Sequence, residues 1–144
     1  MYLKNICILV ATFLLTCIGA RQAAAQTTKP VKQIDIELFD KLRQEKDHVV
    51  LDVRTAQEYT QGHVPGAVNV DISDPQFKKK VEALDKSKTY LVHCAKGVRS
   101  ARAAKIMSPM GFDLLDYHGG FDEWKKSGKP VEKGTAEGKA GAAK

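Results

Sequence analysis

The 144-residue sequence is short of cysteine, of tryptophan and of long apolar runs. Two of its three cysteines, Cys7 and Cys17, sit within the first 17 residues, leaving Cys94 alone in the rest. A disulfide framework is therefore excluded for the body of the chain. No apolar run reaches the roughly 18–20 residues of a comfortable membrane span. No cluster of His, Cys, Asp and Glu has metal-ligand spacing, and no glycine-rich nucleotide loop is present. No internal repeat occurs, and no dissociable cofactor is implied.

Acid is missing from residues 1–25, which carry Lys4 and Arg21, and scarce in residues 125–144, where six lysines face Glu132 and Glu137. The formal net charge of +6 thus belongs to the two ends, because residues 26–124 balance at 15 basic and 15 acidic residues. A nucleic-acid partner is not expected, since such a domain carries its basic face on the fold. The length suits one compact domain and is too short for two.

Residues 1–25 read as a secretory signal: Lys4 gives a short positive region, Ile6–Ala20 an apolar core, and Ala23–Ala25 small residues for cleavage after Ala25. An uncleaved anchor and lipidation at Cys17 are the alternatives. The expected mature protein is exported, periplasmic, not held in the membrane, and monomeric. In that oxidising space a single unpaired Cys94 is a liability or a tool. Residues 26–31 read as a linker, 32–128 as the domain and 129–144 as a flexible basic tail rich in Gly, Ala and Lys.

Within the domain, apolar runs of strand length alternate with helix-forming runs. Strands are predicted at Val31–Ile34, His48–Val53, Ala67–Val70, Thr89–His93 and Phe112–Tyr117. Helices are predicted from Asp35 as N-cap to about Gln44 with apolar Ile36, Leu38, Phe39 and Leu42, from the Thr55–Glu58 capping box to Gly62, from Ser73-Asp74-Pro75 through Leu84, over Ser100–Met107, and over Phe121–Lys126. Such alternation implies an α/β fold with a central parallel sheet and helices on both faces. Ligands of such folds sit beyond the carboxyl ends of the strands.

Cys94 lies at the carboxyl end of the fourth of these strands. It opens the loop Cys94-Ala95-Lys96-Gly97-Val98-Arg99-Ser100, with a helix close behind. A loop between strand end and helix start converges backbone N–H groups, and the helix dipole adds positive potential. Those features favour the thiolate, the nucleophilic form of cysteine. Lys96 and Arg99 add charge that attracts an anion. The plain alternative is a buried structural cysteine ending a strand, but that setting is usually apolar. His93 precedes the cysteine, and strand alternation turns it to the opposite face. His63 and His118 lie in turns, Asp52 ends its strand, and Arg54 and Glu58 are expected to pair with each other.

Three motifs together resemble the single-domain rhodaneses, or sulfurtransferases: Asp52-Val53-Arg54 with Glu58-Tyr59 and Gly62-His63-Val64-Pro65-Gly66-Ala67-Val68-Asn69; the Cys94–Ser100 loop; and Gly119-Gly120 followed by Trp124. An exported single-domain chain is similar to the periplasmic phage-shock-type members. The resemblance implies a rhodanese-like fold, Cys94 as nucleophile and persulfide carrier, and an anion cradle of Ala95, Lys96, Gly97, Val98, Arg99 and Ser100. It also implies thiosulfate as sulfur donor and a thiophilic acceptor such as cyanide or a thiol. Four residues separate Cys94 from Arg99, the shorter, sulfur-handling loop; the related phosphatases and arsenate reductases have five. Lys96 resembles the lysine of thiosulfate-using loops, whereas Ala95 stands where the large thiosulfate enzymes carry arginine. A persulfide carrier or binding module for a protein partner would share these features, as would a thiol redox protein using an outside thiol.

Overall fold

A computed structural model of the chain describes residues 28–134. The signal reading, Cys7, Cys17 and residues 135–144 lie outside the described residues. Five strands alternate with five α-helices: β1 (Lys32–Ile34), α1 (Ile36–Leu42), β2 (His48–Asp52), α2 (Ala56–Gln61), β3 (Val68–Asn69), α3 (Phe77–Glu82), β4 (Thr89–His93), α4 (Val98–Met107), β5 (Asp113–Tyr117) and α5 (Gly120–Lys126). The sheet is all parallel in the order β1-β5-β4-β2-β3. β4 is central, with Leu91 in register with Val50 on one side and Leu115 on the other.

Alternation along the strands splits the core into two layers. Tyr90, Val92 and Cys94 join Leu51 and Leu114 against Phe77 and Val81 of α3 and Ala103, Ala104 and Met107 of α4. Leu91 and Val50 face the other way, against Phe39 of α1, Tyr59 of α2, and Phe121 and Trp124 of α5. The sheet is therefore covered on both faces, as its continuous apolar strands require. Asp35 caps α1 by accepting the Leu38 N–H at 2.9 Å, and Thr55 and Glu58 form a complete capping box on α2.

Some expectations shift. α3 begins at Phe77, not at Ser73–Pro75, because Asp71 and Asp74 accept the Ser73 and Gln76 amides at 2.7 Å each and turn the chain before a helix can start. α4 begins two residues earlier than Ser100, since Gly97 adopts φ 85° and feeds the chain straight into the helix at Val98. In the seven-residue α1, the buried stripe runs through Phe39, and Leu38 beside it is exposed.

The larger difference is at the carboxyl end. Residues 129–134 fold back on the domain although their composition reads as tail. Trp124 Nε1 donates to the Pro130 carbonyl at 2.7 Å, and His63 and Glu132 exchange backbone hydrogen bonds of 2.8 and 2.9 Å. Gly134 N–H reaches the Thr60 carbonyl at 3.1 Å, and Lys129 pairs with Asp40 at 2.5 Å. Backbone bonds carry most of this docking, so apolar composition gives no sign of it.

Candidate active site

Cys94 leaves the carboxyl end of the central strand and is almost buried, at 2% exposure. The chain turns under it in three residues and enters α4. Gly97 makes that turn possible, and its N–H donates to Cys94 Sγ at 3.1 Å. A Cβ at Gly97 would collide with the His118 carbonyl and come within 2.7 Å of His118 Nδ1. The positive φ and the close neighbour both demand glycine.

The helical ladder of α4 begins with Ala101 N–H to Gly97 O at 3.1 Å. The first-turn amides, those of Val98, Arg99 and Ser100, precede that ladder, as at any helix start. Ser100 is buried and turns its hydroxyl to the Gly97 carbonyl at 2.9 Å. Val98 is exposed at 77% and Lys96 is exposed too, while Ala95 is half-buried. The Lys96 ammonium has no ion-pair partner among the described residues, so it stands as a free cation beside the loop.

The amino end of α5 holds the other side of the loop. Phe121 N–H donates to Cys94 O at 2.8 Å and Asp122 N–H to Ala95 O at 3.1 Å. With its carbonyls drawn to α5, the loop can turn its amides the other way. Gly120 (φ 67°) permits this approach: a Cβ there would lie 2.5 Å from Ala95 O and 2.7 Å from Cys94 O.

Arg99 does not stand free. Its two terminal nitrogens meet the two Glu58 oxygens at 2.7 Å each, tying the first turn of α4 to α2. Glu58 also receives the Thr55 amide and hydroxyl at 3.0 Å. The Arg99 hydrogen bonds lead in holding its carboxyl down at about 2, and Arg99 is raised in turn. The expected Arg54–Glu58 pair is therefore not formed. Arg54 folds back on Asp52, two residues earlier, with Nη2 to Oδ2 at 2.5 Å and Nε to Oδ1 at 2.9 Å. It donates as well to the Gly62 carbonyl at 2.8 Å and lies over the Phe121 ring at 4.0 Å. Asp52, at the end of β2, is closer in sequence and in space than Glu58, whose carboxylate α2 aims at α4. This cross-element partnership of Glu58 and Arg99 is what reading along the chain misses; only the capping box was legible there.

His93 is fully buried on the face opposite Cys94, edge-on to Phe39 at a centroid distance of 5.8 Å. Its Nδ1–H donates to Cys94 O at 3.2 Å, and Nε2 lies 3.8 Å from Asp52 Oδ2 without a hydrogen bond. Burial lowers its pKa and favours the neutral ring. It braces the backbone of the cysteine from behind. Asp116 of β5 is also buried beside Ser100, and burial pushes its carboxyl pKa up. His63 stacks flat on Tyr59 at 3.7 Å, a structural role in its turn.

Two depressions flank the loop. One, of about 440 Å³, is lined by Arg54, Glu58, Ala95, Phe121, Lys125 and Lys133 among others. The other, of about 690 Å³, is lined by Lys96, His118, Asp122, Glu123 and Lys126 among others. Glycine-shaped turns, a sulfur receiving an amide and cations around it make a site suited to a nucleophilic cysteine acting on an anion.

The chain is similar to known proteins. The Rhodanese-like domain family matches residues 35–127. YtwF of Bacillus subtilis (strain 168), which bears a sulfurtransferase name, is 32% identical over 93 residues, covering 65% of this chain and 88% of its own. Thiosulfate sulfurtransferase 16, chloroplastic, of Arabidopsis thaliana is 34% identical over 96 residues, covering 59% of this chain and 80% of its own. Among solved structures, a rhodanese-related protein from Thermoplasma volcanium superposes with a TM-score of 0.62 at 33% identity, over 70% of this chain and 97% of that one. With its parallel sheet, its cysteine loop and relatives of the sulfurtransferase type, this chain belongs to the rhodanese-like domain family.

Proposed function

We propose that the chain is a thiosulfate sulfurtransferase working through a Cys94 persulfide. The observation that carries this reading is Cys94 Sγ at the end of β4 with the Gly97 N–H already directed at it, 3.1 Å away. The Cys94 thiolate attacks the outer sulfur of thiosulfate. A new S–S bond forms, the S–S bond of thiosulfate breaks, and sulfite departs with the bonding pair. Charge is conserved, since thiolate and dianion become persulfide anion and sulfite dianion. A thiophilic acceptor then takes the outer sulfur and returns Cys94 to the thiolate.

The cradle Ala95–Ser100 serves both anions through its amides. Lys96, exposed and without an ion-pair partner among the described residues, is the loop's own cation to draw a dianionic donor. Arg99, already paired, fixes the first turn of α4 and contributes to the donor site mainly through its backbone. The short loop supports sulfur chemistry over phosphoryl or arsenate chemistry. The secretory-signal pattern of residues 1–25 supports an activity outside the cytoplasm.

Intact mass of the protein before and after thiosulfate tests the reading, with Cys94→Ser beside it. A gain of about 32 Da in the wild type alone, the covalent sulfur of a two-step mechanism, is expected, followed by turnover with cyanide. Sulfur uptake by the serine variant, or none by a demonstrably reduced wild type, overturns it. Uptake without turnover identifies a persulfide carrier.

A further inference from the structure

The 440 Å³ cleft beside the cysteine loop has one wall that lies beyond the matched family domain. The match to the family ends at residue 127, while Val131 and Lys133 line this cleft. The 129–134 segment reaches it because it is fastened at both ends, by Trp124 and Asp40 at the start and by His63 and Thr60 beyond. Val131 seats on Gly62, so closely that a Cβ there would lie 3.0 Å from Val131 Cγ1. Lys133 follows two residues later, on the same side of the extended segment.

Most charges of the cleft are already matched. Arg54 is held by Asp52, and Glu58 by Arg99. Lys133 and Asp122 are exposed and have no ion-pair partner among the described residues. Lys125 is exposed, has no ion-pair partner among the described residues, and lies over the Phe121 ring, 5.2 Å from its centroid. Two lysines against one aspartate leave the cleft positive, with Ala95, the neighbour of Cys94, in its lining.

From this juxtaposition we infer that Lys125 and Lys133 read the charge of the sulfur acceptor, selecting small thiols that carry carboxylates. The inference rests on the sulfurtransferase reading and deepens it. The acceptor thiolate attacks the outer sulfur of the Cys94 persulfide. The Cys94 S–S bond breaks, its electron pair returns to the Cys94 thiolate, and the acceptor leaves as its own persulfide. The lysines touch the acceptor's carboxylates and take no part in bond making.

The test uses the full chain and the double variant Lys125→Glu/Lys133→Glu. Both positions are exposed, so the fold should be retained. In the first arm, reduced protein is alkylated at Cys94 with iodoacetate or with iodoacetamide, reagents alike except in charge. The iodoacetate to iodoacetamide rate ratio should fall about tenfold at low salt in the double variant, as for a focusing charged cleft, and the difference should shrink as salt is added. In the second arm, protein loaded with inorganic polysulfide is discharged by mercaptosuccinate or 2-mercaptoethanol. Only the mercaptosuccinate rate should fall. Lys46→Glu/Lys78→Glu, an equal change of net charge away from the loop, should alter neither ratio. Unchanged ratios in the cleft variant, or an equal fall in the remote one, overturn the inference. A chain that charges with polysulfide but not with thiosulfate loses the thiosulfate reading alone, because the alkylation ratio still decides the cleft.

Discussion

At position 120 the backbone of α5 presses against the loop so closely that a methyl group has no room. Gly120→Ala should therefore push the Cys94 and Ala95 carbonyls out of place, on top of the strain of an L-residue at φ 67°. We expect a loss of about 1–3 kcal/mol in urea unfolding and a larger proportional loss in the rate of persulfide formation. A variant that unfolds at the wild-type urea midpoint would show that the contact is soft. Glu58 offers a pH test. Its carboxyl is depressed from 4.5 to about 2 in the folded state, chiefly by the Arg99 hydrogen bonds. A depressed acid stabilises the fold above its unfolded pKa and loses that contribution as pH falls through the folded value. The wild type should thus lose stability from pH 4.5 down toward about 2, and Glu58→Gln should be flatter over that window. The pair is partly exposed, so solvent screening keeps the effect small. Equal pH slopes in chemical denaturation would remove the Glu58–Arg99 pair from the account.

Among the elements, α5 has two duties, since its first residues hold the cysteine loop and its Trp124 holds both the core and the carboxyl-terminal segment. Trp124 is fully buried, edge-on to Phe39 at 5.6 Å, and donates to Pro130 O at 2.7 Å. Trp124→Ala should cost about 3–5 kcal/mol, read as a large fall in Tm. Trp124→Phe should retain most of the packing yet free the segment, making residues 129–134 sensitive to protease while the domain stays folded. The helix and strand pattern was legible because apolar spacing and capping residues are local signals: Asp35, the Thr55–Glu58 box and the Thr89–His93 run all lie where they were read. The docking of residues 129–134 was not legible. It depends on backbone bonds to His63 and Thr60, some seventy residues away, and composition carries no trace of them. The site divides in the same way. The loop announced its own turn, but Arg99's partner came from another helix and could not be read along the chain.

For the molecule as a whole, two apolar layers lie on either side of one sheet, and β4 is bonded on both edges by β2 and β5. Native-state hydrogen exchange should find its slowest amides at Leu91 and Val92, and much faster exchange in β1, which hangs on the sheet by one neighbour. Uniform protection across the five strands would instead mean that the sheet opens only as a unit. Cys94 follows directly on this central strand, so under the proposed function the chemistry would be mounted on the part of the fold expected to exchange most slowly. The sheet's two borders have a different consequence. They are strands of only three and two residues, β1 and β3. A colliding copy finds almost no ladder to extend, and even a partly loosened molecule offers little template for amyloid-like stacking. Brevity at the margins thus protects against aggregation a chain whose apolar strands would otherwise invite it.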